Sequence, residues 1–564
     1  MRWLFQKDAR SFYLLNATQF LGALNDNVFK LLVIYLLIHV KGPGAANTIL
    51  SLAGAIFVIP FLIFSSSAGV LADRFSKRTI IVYTKFLELA VMLFGLLAVS
   101  LKSEVGAYAA LFLMATQSAL FGPSKYGIIP ELVDAKGVSK ANGSLTSFTY
   151  MAIILGTFLA SFIADITDKN FVVEACFCVG VAVIGVLTSL GIRKTSAQNS
   201  TKKITPFFLY EIYQTLKMGW NVPHLLVAIF GSSFFLFVGA FTQLNIIPFA
   251  MQSLGLSEVG GGYLFLSTAV GIAAGAVIAG QLSKDKVEPG LSCICGLFIG
   301  IFFIALHLCS FSLVLTNVFL GLLGLVGGAF LIPFDSFIQV NSPQEKRGQV
   351  IAATNFFSFT GVLLAAFCLY FISEELGFSA SSGFVLMGVM TLVVDVVLIG
   401  RLSSFFFPFF VKKILKRMRK LVVTTAVPGP GTAVILQSSS WWDAVLLFSC
   451  FPRLHVLVPA SYLLRFPWVN GWFDTISLVP PRLTDADSVQ KLSAKVKSLQ
   501  DKQTSVCVFV HQKAKPADVE AYKSYLRKQG LEIAVVHSKK ERIPRRWFFF
   551  RWSLREISMS FDPQ

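Results

Sequence analysis

The sequence is short of charged residues. Only 14% of its 564 residues are charged, whereas soluble globular proteins carry roughly a quarter. This deficit excludes a purely soluble protein, a disordered chain and a disulfide-stapled secreted domain. The eight cysteines are scattered, mostly through apolar runs, and we expect them to pack as small residues without binding a metal. No Gly-x-x-x-x-Gly-Lys-Ser/Thr loop occurs, so nothing supports an ATP-driven pump.

The sequence is rich in long apolar segments. Hydrophobic residues make up 55% of the chain, and 55 residues are Phe. A membrane-spanning helix needs about 20 mostly apolar residues, and the chain contains twelve such segments. The first is too long for the core of a cleaved signal peptide, so we expect a permanent helix. The predicted spans lie near 12–40, 46–72, 79–101, 105–124, 143–166, 171–191, 223–252, 259–282, 289–312, 314–338, 349–373 and 381–410.

A polar, basic linker at 193–222 divides these spans into two groups of six. The sequence therefore predicts an all-α polytopic membrane domain over 1–411, with halves at about 1–192 and 223–411. The halves also share residues at one constant offset, which indicates an internal repeat. The matching pairs are Gly69 with Gly280, Leu71 with Leu282, Gly137 with Gly348, and 147–149 with 358–360.

Basic residues are distributed unevenly among the loops. Loops after odd-numbered spans contain Lys41, Lys102 and Lys169. Loops after even-numbered spans contain many more, among them Arg74, Lys77, Arg78, Lys125, Lys136, Lys140, Arg193, Lys194, Lys346 and Arg347. The positive-inside rule then places the even-numbered loops and both termini in the cytoplasm. Contact with anionic lipid headgroups explains the net charge of +19 without a nucleic-acid partner.

The loop after the second span reads Gly69-Val-Leu-Ala-Asp-Arg-Phe-Ser-Lys-Arg78. It resembles the loop motif of major facilitator transporters, whose two six-helix halves bind substrate between them. Gly69 allows close helix approach, and we expect Asp73 to meet a helix N-terminus or a basic partner. Arg74, Lys77 and Arg78 are expected to face the cytoplasm, and such contacts would latch the halves in an outward-open state. The alternative is an ordinary basic loop. The second-half copy, which begins at Gly280, is degraded.

The first span contains Asn25, Asp26 and Asn27, with Lys30 one turn later. An ionisable group inside a membrane helix is costly unless it is paired or hydrated. Asp26 and Lys30 have the i, i+4 spacing of an ion pair on one helix face. This group predicts a site for a coupling cation, Na⁺ or H⁺, or for a substrate amine. A purely structural pair near the membrane edge is the alternative.

Further ionisable residues lie in or beside the predicted spans. Glu88 and Lys85 have i, i+3 spacing, so a local ion pair competes with a binding role. Lys125 lies in the segment 121–133, where two prolines and two glycines interrupt apolar sequence. Such a segment predicts either a broken helix that lines a cavity or a kinked helix end. Asp395 is a deep candidate, and Asp335 is either a candidate or a residue reaching the interface.

Three segments together carry a family resemblance. Residues 20–29, 69–78 and 121–133 look like the lysophospholipid transporters of the major facilitator superfamily, and the resemblance covers roughly 10–410. It implies a 6+6 helix fold that flips lysophospholipids, chiefly lysophosphatidylethanolamine, across the bacterial inner membrane for reacylation. The family's intramembrane Asp carries over to Asp26, and no cofactor is implied. Efflux of amphipathic drugs is an alternative that the residues alone allow.

A second domain follows the last span. Residues 412–420 form a basic segment expected to contact anionic lipid. Beyond it, 421–564 has the pattern of a small α/β domain in the cytoplasm. The strands are predicted at Thr432–Leu436, Leu454–Pro459 and Ser505–Val510, with a helix over Ala486–Gln503. The basic and aromatic residues of 542–552 favour a lipid interface over nucleic acid.

This domain is similar to glycerolipid acyltransferases, whose Asn-His-x-Ser-x-x-Asp motif uses an Asp-oriented His to deprotonate the lipid hydroxyl. The corresponding stretch here begins at Gln437, and Ser440 and Asp443 match the motif. Ser438 occupies the position of the base, and a hydroxyl cannot accept a proton near neutral pH as imidazole does. We therefore predict a domain without acyltransferase activity.

The later Glu-Gly-Thr element of those enzymes is also missing. The strand that should precede it is followed here by His511-Gln-Lys. We therefore expect this domain to be a docking or regulatory remnant. Its expected partner is a separate acyltransferase or an acyl carrier protein. The rival hypothesis is a bifunctional transporter and acyltransferase in which His455 or His511 has become the base.

Overall fold

The computed structural model describes most of the chain. The described residues are 9–42, 46–197, 200, 208–256, 258–283, 286–411, 421–423, 427, 429, 431–438, 447–451, 454–459, 475–479, 486–501, 503–511, 516–542 and 555–563. They form two compact units: Met1–Val287 with Ile294–Val394, and Glu288–Cys293 with Asp395–Gln564.

Within the described residues, twelve helices are long and apolar enough to cross a membrane, which confirms the predicted number of spans. In the first half they are α1 (Ala9–Lys41), α2 (Ala46–Arg74), α3 (Lys77–Ser100), α4 (Glu104–Gly127), α6 (Val138–Ile166) and α7 (Phe171–Leu190). In the second half they are α9 (Leu225–Leu254), α10 (Glu258–Leu282), α11 (Pro289–Leu308), α12 (Leu313–Asn341), α13 (Arg347–Tyr370) and α14 (Ala380–Arg401). Three shorter helices accompany them: α5 (Ile129–Leu132), α8 (Phe208–Trp220) and α15 (Ser403–Phe410).

Apart from helix ends shifted by a few residues, three features of the helices differ from the sequence prediction. The last predicted span, 381–410, is two helices, because Leu402 leaves the helical region with φ −110° and ψ 21°. α4 continues through Pro123 to Gly127, so the prolines do not break this helix at membrane depth. The linker contains α8, whose buried residues pack it against the ends of neighbouring helices.

The internal repeat corresponds to two equivalent contacts between the halves. Gly69 of α2 lies against α13, where an added Cβ would come within 2.8 Å of the Gly348 carbonyl oxygen. Gly280 of α10 lies against α6, where an added Cβ would come within 2.9 Å of the Ser139 carbonyl oxygen. Only glycine permits such close backbone approach. The matching glycines therefore mark the same inter-half contact in each repeat.

α10 and α12 pack through small residues at i, i+4 spacing. Gly271 and Gly275 on α10 lie against the backbone of Gly321 and Leu325 on α12. Gly324 and Gly328 on α12 lie against the backbone of Thr268 and Ile272 on α10. A Cβ on Gly275 would overlap the carbonyl oxygen of Leu325, so the two backbones are in direct contact. Close packing of this kind holds helices together in lipid, where the hydrophobic effect does not drive their association.

The C-terminal unit contains a seven-stranded sheet in the order β1-β7-β6-β2-β5-β3-β4. The pairs of β2 with β5 and β6, of β3 with β4 and β5, and of β1 with β7 are parallel, whereas β6 and β7 are antiparallel. The strands are β1 (Leu421–Val423), β2 (Ala433–Ser438), β3 (Leu454–Pro459), β4 (Ile476–Val479), β5 (Ser505–His511), β6 (Ile533–Arg542) and β7 (Arg555–Pro563), and the helices are α16 (Ala486–Gln500) and α17 (Pro516–Lys528).

The three predicted strands and the predicted helix are confirmed, with ends shifted by a few residues. α16 buries Leu492, Val496 and Leu499 against the sheet, which explains its period of three to four residues. Cys507 lies in the core on β5, where burial raises the pKa of its thiol to about 12. This cysteine therefore packs as a small apolar residue. The segment 412–420 lies outside the described residues.

Candidate functional site

A cavity of about 380 Å³ lies between the two halves of the membrane unit, and we call it the polar cavity because acidic and basic side chains line it. Helices α1, α2, α3, α4 and α6 of the first half line it together with α9, α12 and α13 of the second. Five ionisable side chains reach this cavity: Asp26, Lys85, Glu88, Lys125 and Asp335. Charged groups at membrane depth are costly, so a cluster of them around one cavity indicates a binding or transport role.

Lys85 and Glu88 form a compensated pair. Lys85 Nζ lies 2.5 Å from Glu88 Oε2, and both side chains are 1% exposed. Asn25 Nδ2 donates a hydrogen bond to Glu88 Oε1 at 3.1 Å. An added Cβ on Gly22 would lie 2.5 Å from Lys85 Nζ, so the missing side chain leaves room for the ammonium. The local ion pair left open by the sequence is therefore present, and it lines the cavity.

Asp26 bonds to a neighbouring helix. Ser118 Oγ of α4 donates to Asp26 Oδ2 at 2.6 Å. The predicted ion pair between Asp26 and Lys30 is wrong: no salt bridge joins them in the described part of the chain. Lys30 Nζ lies instead 5.0 Å from the centre of the Phe57 ring, a cation–π distance. Spacing on one helix favours the pair, but α4 offers the carboxylate a shorter contact.

Lys125 is half-buried in the lining of the cavity, and its ammonium makes no salt bridge with the described acids. Its Nζ lies 4.7 Å from the centre of the Tyr126 ring and 5.8 Å from that of Phe121. It interacts electrostatically with Asp26 on α1 and with Asp335 on α12. Asp335 accepts a hydrogen bond from Ser232 Oγ at 2.7 Å. Asp335 therefore belongs to the lining of the cavity.

A second cavity of about 340 Å³ adjoins the first and is mainly apolar. Its lining includes Phe57, Phe234, Phe235, Phe265 and Phe330, together with Lys30. Asp26, Asn27, Phe57, Ile153 and Leu236 line both cavities. Asn27 Nδ2 bonds to the carbonyl oxygen of Ala23 at 2.7 Å, within its own helix. The two cavities are therefore neighbours, one with charges of both signs in its lining and one with five Phe side chains.

Asp73 links the two halves at one end of the membrane unit. Its buried carboxylate accepts hydrogen bonds from the backbone N–H groups of Gly348 at 2.6 Å and Gln349 at 3.0 Å. The Gln349 side-chain amide donates a third at 3.1 Å. Gly348 and Gln349 begin α13, whose free N–H groups and dipole favour a negative charge. The sequence expectation of a helix N-terminus opposite Asp73 matches this geometry.

The basic residues of the same loop do not all face solvent. Lys77 is fully buried, and its Nζ pairs with Glu131 Oε1 at 2.7 Å. Arg78 donates to the carbonyl oxygens of Leu190 and Ile192 at the end of α7. Only Arg74 is exposed as predicted. Lys77 and Arg78 therefore bind partners within the first half. Lys77 pairs with a carboxylate and Arg78 donates to carbonyl groups at a helix end, and both kinds of acceptor need donors.

A second link between the halves was missed by the sequence analysis. Asn142 of α6 and Gln339 of α12 exchange amide hydrogen bonds at 2.9 and 3.1 Å, and Asn142 also donates to Ser336 Oγ. All three residues are buried. Amide groups at apolar helix positions were a usable signal, since buried polar side chains need partners. Their pairing across the halves had no signal in the sequence.

Other predicted residues lie apart from the cavities. Asp395 of α14 is buried, and both carboxylate oxygens lack a hydrogen-bond partner among the described residues. It is not among the described residues that line the two cavities. Ser440 and Asp443 lie outside the described residues. Ser438 ends β2, and the strand register sets it opposite His511 at the end of β5.

Twelve membrane helices in two repeated halves around a charged cavity define a polytopic membrane protein of the transporter class. Residues 16–366 match the family model of the Major Facilitator Superfamily. The chain belongs to this superfamily.

Two relatives and two solved structures give the extent of the likeness. The chain is 25% identical over 365 residues to lysophospholipid transporter LplT of Serratia proteamaculans (strain 568), covering 63% of this chain and 87% of the relative. It is 24% identical over 376 residues to LplT of Yersinia pestis (strain Pestoides F), covering 65% and 88%. These relatives align with the membrane domain, so the acyltransferase resemblance of 421–564 stays a prediction.

The solved structures share the fold at low identity. The human organic anion transporter MFSD10 (TETRAN) superposes with a TM-score of 0.56 at 12% identity, covering 69% of this chain and 99% of that one. A bacterial homologue of the iron transporter ferroportin, in an outward-facing state, also gives 0.56 at 16% identity, covering 70% and 99%. At these identities the likeness concerns the fold alone.

The geometry at Asp73 leads to a first prediction. Asp73→Ala removes the acceptor for two helix-end N–H groups, and hydrogen bonds to a charged group contribute about 1.5–3 kcal/mol each. We expect the closed contact between α2 and α13 to weaken. Spin labels at Lys136 and Glu345, two exposed positions in opposite halves, should give a larger fraction of long distances.

Asp165→Asn supplies the control, because this carboxylate is exposed at the end of α6. The label distances should match those of the wild type. Unchanged distances in Asp73→Ala would mean that Asp73 does not hold the halves together.

Proposed function

We propose that the protein is a secondary transporter that moves lysophospholipids, with lysophosphatidylethanolamine as the main substrate, across the bacterial inner membrane. Its curated relatives named as lysophospholipid transporters are covered over 87–88% of their length, so the whole transport domain is comparable. In this proposal the basic loops and both termini face the cytoplasm.

The main support for this proposal is the pair of neighbouring cavities. A lysophospholipid has one acyl chain and a charged headgroup, and the site has a Phe-rich part beside a part with charges of both signs. Lys125 suits the headgroup phosphate, because its ammonium makes no salt bridge with the described acids. A polar substrate without a chain would leave the apolar cavity unused.

Coupling follows from the charges of the site. The polar cavity has three acids, Asp26, Glu88 and Asp335, and two bases, Lys85 and Lys125. A zwitterionic headgroup does not change this formal excess of one negative charge in the polar cavity, and the charge of Lys30 lies in the adjoining cavity. A coupling Na⁺ or H⁺ would compensate it, and Asp26 is the candidate site since its Oδ1 is buried without a partner among the described residues. Opening of the Asp73 contact would then expose the site to the other side.

The test uses the purified full-length protein in proteoliposomes. Labelled lysophosphatidylethanolamine is followed across the bilayer under imposed Na⁺ and H⁺ gradients, with acyl donor present on the side that carries the C-terminal domain. We expect transport without diacyl product. Absence of transport under every gradient would contradict the proposal, and export of amphipathic drugs would become the leading alternative.

For residues 421–564 we propose a docking or regulatory role without acyl transfer, because Ser438 replaces the base of the acyltransferase motif. A separate acyltransferase or an acyl carrier protein would be the partner that reacylates the delivered lipid. Diacyl product in the proteoliposome assay would contradict this role.

One observation favours the bifunctional alternative as second candidate. His511 pairs with Ser438 in the register of β5 and β2, so an imidazole-bearing residue lies one strand away from the missing base. If diacyl product does form, His511→Ala should abolish it and leave transport intact. His455→Ala is the matched control, since this histidine is buried near the opposite end of the neighbouring strand β3.

A further inference from the structure

Asp335 is the acid that the second half contributes to the polar cavity. It lies on α12, is half-buried, and accepts a hydrogen bond from the buried Ser232 of α9 at 2.7 Å. A carboxylate can accept several hydrogen bonds at its two oxygens. Ser232 therefore orients the group while leaving it able to bind a donor in the cavity.

Lys125 is the opposite charge across the cavity, on α4 of the first half. Asp335 and Lys125 attract each other, but the described residues form no ion pair between them within 4.0 Å. A zwitterion with phosphate and ammonium groups fits between such separated charges. The phosphate would meet Lys125 and the ammonium would meet Asp335, each with a charge-assisted hydrogen bond.

Asp26 is a weaker candidate for this role. It belongs to the first half, as does Lys125, so a headgroup held by that pair would engage one half only. A headgroup held by Lys125 and Asp335 engages both halves and can link binding to their movement.

We propose that Asp335 is a specificity-determining residue that binds the headgroup ammonium, so that the protein selects lysophospholipids with a primary amine. This inference rests on the proposed function and names the headgroup chemistry of the same site. Lysophosphatidylethanolamine has the amine, whereas lysophosphatidylglycerol with the same acyl chain has a phosphate and no amine.

The test compares binding of these two lipids to the purified full-length protein and to Asp335→Asn. We expect the dissociation constant for lysophosphatidylethanolamine to rise about tenfold, equivalent to about 1.4 kcal/mol, with less than about a twofold change for lysophosphatidylglycerol. Asp335→Glu should keep the preference for the amine, because it restores the charge. Asp168→Asn, at an exposed carboxylate, should bind as the wild type does.

The outcomes separate the inference from the proposed function. If the wild type binds neither lipid, the proposed function is wrong. If it binds lysophospholipids without preferring the amine, or if Asp335→Asn weakens both lipids equally, Asp335 does not select the headgroup. If Asp335→Asn does not fold, the same binding measurements on Asp335→Glu and Ser232→Ala test the inference. Ser232→Ala should lower the preference for the amine by a smaller factor, and an unchanged preference there would contradict the inference.

Discussion

Asp26→Asn is expected to reduce lysophospholipid transport at least tenfold while leaving expression and folding unchanged. Asparagine keeps the size of the side chain and can still accept a hydrogen bond from Ser118, which lies 2.6 Å from the carboxylate. It removes the negative charge that interacts with Lys125 and that would hold a coupling cation. A tenfold loss of rate corresponds to about 1.4 kcal/mol in the barrier to transport. Initial rates in proteoliposomes under each cation gradient measure the effect.

Asp165→Asn is the matched control, because it removes a carboxylate from the exposed end of α6. Its rate should equal that of the wild type. If Asp26→Asn transports at the wild-type rate under every gradient, the charge of Asp26 has no part in substrate binding or coupling, and the assignment of the site to the first span is wrong.

Gly275→Ala is expected to have the largest effect on stability. The added Cβ would overlap the carbonyl oxygen of Leu325, and neither backbone can move without separating α10 from α12. Overpacking of a well-packed site costs about 1–3 kcal/mol, and a backbone clash belongs at the upper end. We expect a lower melting temperature in detergent, followed by fluorescence-detected size exclusion, and a smaller yield of monodisperse protein.

Gly262→Ala tests the same substitution on the same helix where there is room. No heavy atom lies within 4 Å of the added Cβ, apart from neighbours in its own helix. The melting temperature should stay the same or rise slightly, since alanine favours a helix by up to about 1 kcal/mol. Equal destabilisation by both variants would show that the loss comes from glycine as such and not from the contact with α12.

Several particular residues mark how far sequence reasoning reached. The rarity of charges in membrane helices predicts Asp26 and Glu88 as site residues, and the interrupted segment 121–133 predicts Lys125. All three line the polar cavity. The same rarity predicts Asp395, but it lies buried outside the described linings. A charged residue in the middle of a membrane helix is recognisable as unusual from the sequence. The rotation of the helix about its axis decides which surface that side chain contacts.

Asp73 and Asn142 show that the sequence does not reveal which helices pack together. The Gly69–Arg78 loop predicted that Asp73 meets a helix N-terminus or a basic partner, yet no feature of the sequence identified the N-terminus of α13. Asn142 and Gln339 are about as ordinary in sequence as other amides in the spans. Their mutual hydrogen bonds require α6 and α12 to pack side by side. The i, i+4 spacing of Gly271 and Gly275 is typical of helix packing in membranes, although the sequence does not indicate that α12 is the partner helix.

The sequence by itself determined the number of membrane helices, their division into two repeated halves and three of the seven strands of the C-terminal unit. These features depend on local hydrophobicity and period, which each segment carries without reference to the rest. Only the tertiary structure decided that Asp26 bonds to Ser118 instead of Lys30, that Asp335 joins the cavity opposite Lys125, and that Lys77 is buried. Such contacts join residues far apart in the chain, so they depend on helix packing that no local pattern contains.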